Sequence, residues 1–114
     1  MARGEPSKAV RTVGNLEIEQ REAGVLALSG EVDLSNADQV PGAVEALAPA
    51  EGDLVLDVSD LRFIDSTGVR LLLTLAADRG QRGGNLVLER PGGVVRRVLG
   101  LMGIERAPYL EIRS

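Results

Sequence analysis

The hydrophobic pattern of the chain begins with a period of two residues and later changes to the longer period of helices. Apolar and polar residues alternate over 16–20, which is typical of a half-buried strand, and the apolar run 25–30 predicts a second strand. A short turn separates these runs, so we expect an antiparallel hairpin. Apolar runs predict further strands at 53–58, 85–89 and 109–113, and helical spacing predicts helices at 36–48, 66–79 and 94–102.

The order of these elements, β-β-α-β-α-β-α-β, defines the expected fold class. Strands that alternate with helices after a hairpin predict a single α/β domain with a mixed, mostly parallel sheet and helices packed on it. We assign residues 15–114 to this domain and residues 1–14, which lack periodicity, to a flexible N-terminal tail. Ser35 is the expected N-cap of the first helix, and Pro41 predicts an irregular first turn or a kink.

The composition excludes several kinds of chemistry. The 114 residues include no His and no Cys, and Lys8 is the only Lys. Imidazole bases, thiol nucleophiles and disulfides are therefore excluded, as are the usual zinc ligands. No apolar run approaches the ~18 residues of a membrane span, and the net charge of −4 disfavours nucleic acid. We expect a soluble, cytoplasmic, non-enzymatic protein that binds no cofactor, metal, nucleic acid or membrane.

The segment Asp65-Ser66-Thr67-Gly68 follows a strand and opens a helix, where function is often found in α/β sheets. One interpretation is that Asp65 and Ser66 only cap the helix. The other is that Ser66 presents an exposed hydroxyl at a helix N-terminus, where a phosphate group is stabilised. Because the chain offers no base to activate Ser66, that hydroxyl would be a substrate of another protein's kinase. Gly68 indicates a close backbone approach or a surface that must stay small.

The helix that follows Ser66 carries two apolar stripes. The first is predicted to face the sheet and consists of Val69, Leu72, Leu73, Ala76 and Ala77. The second consists of Gly68, Leu71 and Leu75. It either packs against the predicted helix 94–102 or forms a partly exposed docking face beside Ser66.

An acidic cluster is a further interpretation of the same region. Asp57, Asp60 and Asp65 could hold magnesium, as in a receiver-type domain that is phosphorylated on aspartate. Such a domain would typically also use a lysine on a late strand, and the chain has none beyond Lys8. The cluster is therefore the weaker alternative to a phosphorylated Ser66.

The run Phe63-Ile-Asp-Ser-Thr-Gly-Val69, placed before an aliphatic helix, resembles the signature of STAS domains. It is particularly similar to that of the bacterial anti-sigma factor antagonists. Three other segments resemble parts of the same family: Gly30-Glu-Val-Asp33 after the second strand, the last helix 94–103 and the closing strand 110–112. The resemblance covers residues 15–114.

The resemblance implies a phosphorylation switch. In its unphosphorylated form such a protein binds an anti-sigma factor that is also a serine kinase, and so frees the sigma factor. The kinase uses ATP and magnesium to phosphorylate the serine that corresponds to Ser66, and a metal-dependent serine phosphatase resets the protein. Six positions would surround that serine or lie on the docking face: Asp33, Asp65, Thr67, Gly68, Leu71 and Leu75.

Two other classes of function stay open. The chain could be a constitutive STAS scaffold or a transporter-associated interaction subunit, in which Ser66 is only a cap. It could also be an enzyme such as a nucleotide hydrolase, for which the acidic strand end is the sole support. The sequence also leaves open whether Ser66 or Thr67 receives the phosphate.

Overall fold

The computed structural model describes residues 9–114. Within this range the strands are β1 (Val10–Val13), β2 (Leu16–Glu22), β3 (Val25–Val32), β4 (Leu54–Ile64), β5 (Leu86–Glu89) and β6 (Leu110–Arg113). The α-helices are α1 (Val40–Leu47), α2 (Ser66–Gln81) and α3 (Gly93–Leu101). Two short 3₁₀ turns, Ala37–Gln39 and Ile104–Arg106, precede α1 and β6.

The strands lie side by side in the order in which they occur in the chain, from β1 to β6. Antiparallel pairing joins β1, β2 and β3, and parallel pairing joins β3, β4, β5 and β6. Gly24 takes a φ of +79° in the β2–β3 turn, a conformation that glycine adopts without a steric penalty. The predicted α/β class, with a mixed and mostly parallel sheet and an N-terminal hairpin, is confirmed.

Strand β1 lies inside the segment that the sequence pattern assigns to a flexible tail. It pairs with β2 from Val10↔Glu19 to Val13↔Leu16. Val13 is its one buried residue, so the segment shows no alternation that would predict a strand. The tail assignment is therefore wrong for residues 10–13, and residues 1–8 of the predicted tail lie outside the described part of the chain.

The first helix begins later than predicted. The 3₁₀ turn at Ala37–Gln39 precedes α1, so Pro41 falls in the first turn of the α-helix, where its missing amide breaks no hydrogen bond. Ser35 does not cap this helix, because its amide and hydroxyl both donate to Oδ1 of Asp33, at 2.9 and 2.5 Å. The irregular start is confirmed, and the predicted Ser35 cap is wrong.

All three helices contribute to one apolar core against the sheet. Its members come from alternate strand positions and from every helix, and they include Leu54, Leu56, Leu86, Leu88, Val44, Val69 and Val95. Helix α1 packs against β1 and β2, α2 against β4 and β5, and α3 against β4. In the part of the chain that the structure describes, no helix combines the length and hydrophobicity that crossing a bilayer requires.

The apolar residues of α2 are not divided as the sequence predicts. Leu71 and Leu75 are each 8% exposed, whereas Leu73 and Ala77, assigned to the sheet-facing stripe, are exposed. Both Leu71 and Leu75 border grooves whose other wall includes Pro41 of α1. The second stripe therefore faces α1, and the predicted contact with the helix at 94–102 is wrong.

Candidate functional site

The ends of β3 and β4 bring the predicted site residues together. These strands are parallel neighbours, and Val32 at the end of β3 pairs with Ile64 at the end of β4. Asp33 and Asp65 follow directly, and the Asp65 amide donates to the Val32 carbonyl at 3.2 Å. The two aspartates therefore leave the sheet at the same edge, beside the first turn of α2.

Asp65 caps α2 and also holds the neighbouring loop. Its backbone is extended, with φ −104° and ψ −174°, and its Oδ1 accepts a hydrogen bond from the Gly68 amide at 3.0 Å. Its Oδ2 accepts from the amide of Leu34, in the β3–α1 connection, at 3.2 Å. Both carboxylate oxygens thus have backbone partners, and the capping interpretation applies to Asp65 and not to Ser66.

Ser66 is the first residue of α2, and its side chain is exposed. Because Asp65 provides the cap, the Ser66 hydroxyl makes no hydrogen bond to any of residues 9–114. Thr67 follows it, is half-buried and lines a groove between α1 and α2. The helix N-terminus carries partial positive charge, so a phosphate on Ser66 is compatible with the fold of this chain.

Gly68 allows the first turn of α2 to approach the sheet closely. A Cβ atom at this position would lie 2.6 Å from Cγ1 of Ile64 and 3.0 Å from Cγ1 of Val32, both of which are buried. The predicted close backbone approach is confirmed. Gly68 is itself buried, so it affects the position of Ser66 by letting the first turn of α2 pack closely on the sheet.

Asp33 organises the loop on the other side of the site. The hydroxyl and the amide of Ser35 both donate to its carboxylate, and these hydrogen bonds hold the pKa of Asp33 below its ordinary value. The carboxylate is therefore charged at neutral pH. Asp33 and Asp65 thus place their carboxylates after two neighbouring strand ends, at the edge of the sheet where α2 begins.

Asn36 is a structural residue of the site that the sequence interpretation missed. It is 1% exposed, its Oδ1 accepts from the Asp33 amide at 3.0 Å, and its Nδ2 donates to the carbonyls of Val13 and Glu31 at 3.0 and 2.9 Å. The side chain thus ties the β3–α1 loop to β1 and β3. An Asn just after a strand is a signal for such backbone bonding, since its amide competes well with regular structure.

Leu34 is a second residue that the sequence interpretation missed. Its side chain is 78% exposed, although its amide is fixed by Asp65. Leu71 and Leu75, which the sequence places on the docking face, are instead nearly buried along the groove to α1. The most exposed apolar side chain in the loop next to Ser66 is therefore Leu34.

The alternative acidic cluster does not form. Asp57 is 5% exposed and bonds Arg90 and Ser59, whereas Asp65 caps α2. Across residues 9–114 no three His, Cys, Asp or Glu side chains converge to hold a metal ion. The acidic cluster on which the magnesium interpretation depends is therefore not formed by Asp57, Asp60 and Asp65.

The Asp-Ser-Thr-Gly turn opens α2 at one edge of a six-stranded mixed sheet. Residues 17–112, which include this turn, match the family profile described as "Mlab, STAS domain". This chain therefore belongs to the STAS domain family, and the resemblance noted from its sequence is confirmed.

Several relatives share a regulatory description. The chain is 35% identical over 83 residues to the anti-sigma-F factor antagonist RsfB of Mycobacterium tuberculosis. The matched segment covers 72% of this chain and 67% of RsfB. The crystal structure of an anti-sigma factor antagonist from Mycobacterium paratuberculosis matches with a TM-score of 0.62 at 25% identity, covering 92% of this chain and 84% of that one. The unphosphorylated form of the anti-sigma factor antagonist SpoIIAA has the same fold, with a TM-score of 0.63 at 21% identity over 95% of this chain and 89% of that one.

Proposed function

We propose that this chain is an anti-sigma factor antagonist controlled by phosphorylation of Ser66. In the unphosphorylated state it binds an anti-sigma factor that is also a serine kinase, and the sigma factor is released. The kinase then phosphorylates Ser66, the complex dissociates, and a serine phosphatase restores the binding form. The protein catalyses none of these reactions itself and acts by binding.

One observation carries this proposal: the Ser66 hydroxyl is exposed and unbonded at the start of α2, because Asp65 already caps the helix. A serine that served as the cap would be engaged with the backbone and poorly placed for a kinase. Here a kinase can reach the hydroxyl without opening the helix. The match to RsfB, which is named an anti-sigma-F factor antagonist, supports the choice of partner.

Charge gives the proposed switch its direction. A phosphate adds about −1.5 to −2 charge at Ser66, which follows Asp65 in the chain and lies at the same edge of the sheet as Asp33. The N-terminus of α2 accommodates this anion within the domain. A partner surface formed against a neutral hydroxyl would instead meet a bulky group with two charges. A coupling of about 3 kcal/mol weakens binding by ~150-fold, which is enough for a switch.

The first test is to incubate the protein with an anti-sigma factor kinase of the same organism, ATP and magnesium, and to map the phosphate by mass spectrometry. We expect one phosphate, on Ser66, and none on the Ser66→Ala variant. The matched control is Thr67→Ala, which removes the neighbouring hydroxyl and should be phosphorylated like the wild type. A phosphate on Thr67, or none in the wild type, contradicts the proposal.

The second test measures binding of the same kinase by calorimetry. We expect Ser66→Ala to bind like the unphosphorylated wild type and to stay bound in the presence of ATP. Ser66→Asp should bind at least tenfold more weakly, whereas Ser66→Asn, a neutral control of the same size, should bind with nearly wild-type affinity. Equal affinities for the Asp and Ala variants would indicate a constitutive STAS module, with or without a transporter, in which Ser66 is not a switch.

A further inference from the structure

Arg70 is an exposed arginine of α2 whose charged group has no partner among residues 9–114. The ion pairs of this part of the chain all join other side chains. The hydrogen bond that Thr74 makes to this residue, at 3.2 Å, goes to the backbone carbonyl and leaves the guanidinium untouched. A guanidinium stays charged at all ordinary pH values and offers five N–H donors. Arg70 can therefore bind an anion without giving up an existing contact.

Helical spacing places Arg70 one turn after Ser66. Both residues belong to α2, which begins at Ser66, and both are exposed. Side chains four positions apart lie on the same face of a helix, with Cβ atoms about 5–6 Å from each other. Long side chains of a helix also lean toward its N-terminus, so that of Arg70 extends toward the turn that holds Ser66. The guanidinium is therefore within reach of a group attached to the Ser66 oxygen.

The groove between α1 and α2 agrees with this direction. Arg70 lines it together with Thr67, which directly follows Ser66 in the first turn of α2. Asp38 lines the same groove from the 3₁₀ turn before α1, but it forms no ion pair with Arg70. Arg70 thus lies along the Ser66 end of the helix, and no carboxylate of the described residues occupies its donors.

We propose that Arg70 binds the phosphate group once Ser66 is phosphorylated. The inference rests on the proposed function, which supplies that phosphate. A guanidinium can donate two parallel hydrogen bonds to a phosphate group, and such charge-assisted bonds are stronger than neutral ones. The pair connects neighbouring turns of one helix, so it forms within this chain and needs no contribution from the kinase. Arg70 is therefore a positioning residue that holds the modified side chain along α2.

This pair would change the surface at Ser66 in two respects. Phosphorylation adds about −1.5 to −2 charge to the serine. Binding of the phosphate then removes a free guanidinium from the same face of α2. A partner that binds the unphosphorylated form would therefore meet a new anion and lose a free cation in one step.

Other charged side chains near this end of α2 also affect a phosphate. They are Asp33, Asp38 and Asp65 on the segments beside α2, and Arg62 in β4, which lies 3.9 Å from Glu31. Carboxylates raise the pKa of a neighbouring phosphate, and an arginine lowers it. Because these groups are the same in the wild type and in variants of Arg70, a difference in phosphate pKa between the proteins isolates the effect of Arg70.

The full chain with phosphoserine encoded at position 66 tests the proposal without a kinase. We expect the second pKa of the phosphate, read by ³¹P NMR, to be about 0.3 pH units higher in Arg70→Gln than in the wild type, roughly a twofold change in the acid constant. Arg70→Lys keeps the charge, and Arg97→Gln removes an exposed arginine of α3, so both should stay within about 0.1 pH units of the wild type. The difference should shrink in about 1 M salt, which screens exposed charges.

A second measurement compares the unsubstituted chain with and without the phosphate. The Nε–H signal of Arg70 in ¹⁵N-labelled protein should shift on phosphorylation, whereas that of Arg97 should not. Equal phosphate pKa values in the wild type and Arg70→Gln, or an Arg70 signal that does not move, would overturn the proposal. A kinase that fails to modify Ser66 would instead contradict the proposed function, because the encoded phosphoserine makes the test of Arg70 independent of it.

Discussion

The two ends of helix α2 differ in the exposure and hydrogen bonding of their polar side chains. At the Ser66 end, Asp65 and Asn36 satisfy the backbone of the site, and the Ser66 hydroxyl is left exposed. At the Arg79 end, the polar group is buried and one of its donors has no acceptor. The first end therefore leaves a hydroxyl open to other molecules, whereas the second buries a guanidinium whose hydrogen bonding is incomplete. One helix thus joins two regions of different chemistry.

Asn36→Ala should have the largest effect on stability, because it removes three hydrogen bonds. It tests whether these bonds hold the β3–α1 loop at the Ser66 end of α2 in place. The change leaves the amide of Asp33 and the carbonyls of Val13 and Glu31 without their partner in a buried place. We expect the free energy of unfolding to fall by about 3 kcal/mol, measured by urea denaturation. The control is Asn85→Ala, an exposed Asn, which should change stability by less than about 0.5 kcal/mol. Equal losses of stability in the two variants would contradict the inference that the hydrogen bonds of Asn36 hold the Ser66 end of α2.

Gly68→Ala and Gly80→Ala compare the two ends of α2 directly. A methyl group at Gly68 would meet Ile64 and Val32, which are buried and cannot move far. A methyl group at Gly80 would meet the ring of Tyr109, which is 54% exposed and can turn outward. Both variants gain about 1 kcal/mol of helix propensity.

The net effects of these two variants should therefore differ in size. We expect Gly68→Ala to lose about 2 kcal/mol of stability from overpacking. Gly80→Ala should stay within about 1 kcal/mol of the wild type, because the gain in propensity offsets the displacement of the ring. Thermal denaturation of both variants, monitored by circular dichroism, measures the difference. A Gly68→Ala protein as stable as the wild type would mean that the first turn of α2 can shift away from Ile64 and Val32 more easily than these contacts indicate.

Local patterns predict most of the fold and the Ser66 turn. The hairpin, the strand–helix alternation and the Asp-Ser-Thr-Gly segment depend on periodicities and capping that neighbouring residues determine. Strand β1 is different, because only Val13 of its four residues is buried and its structure comes from pairing with β2. The prediction that Ser35 caps α1 was wrong for a similar reason, since contacts between separate segments decide the loop. Ser35 donates to Asp33 instead, within a loop that Asn36 holds against β1 and β3.

Contacts between distant segments explain the features of α2 that the sequence does not predict. Helical spacing separates Leu71 and Leu75 from the sheet-facing stripe, but it cannot show that α1 lies beside them. Arg79 gives no local signal at all, since an arginine on a helix is normally solvated. Its burial follows from the packing of α2 between α1 and the loop that carries Gly52.

The smallest expected effect concerns the charge of Asp33 at the Ser66 end. Its pKa is lowered in the folded state by the hydroxyl and amide of Ser35, so the charged carboxylate stabilises the fold above the unfolded pKa of about 3.9. This contribution is lost as the pH falls through the folded pKa. Ser35→Ala removes the hydroxyl donor, so its stability deficit should be constant at neutral pH and shrink progressively below about pH 4. Denaturation of both proteins between pH 7 and pH 2.5, at about 0.1 M salt, measures this. A deficit that does not change with pH would show that Ser35 acts through the loop backbone and not through the charge of Asp33.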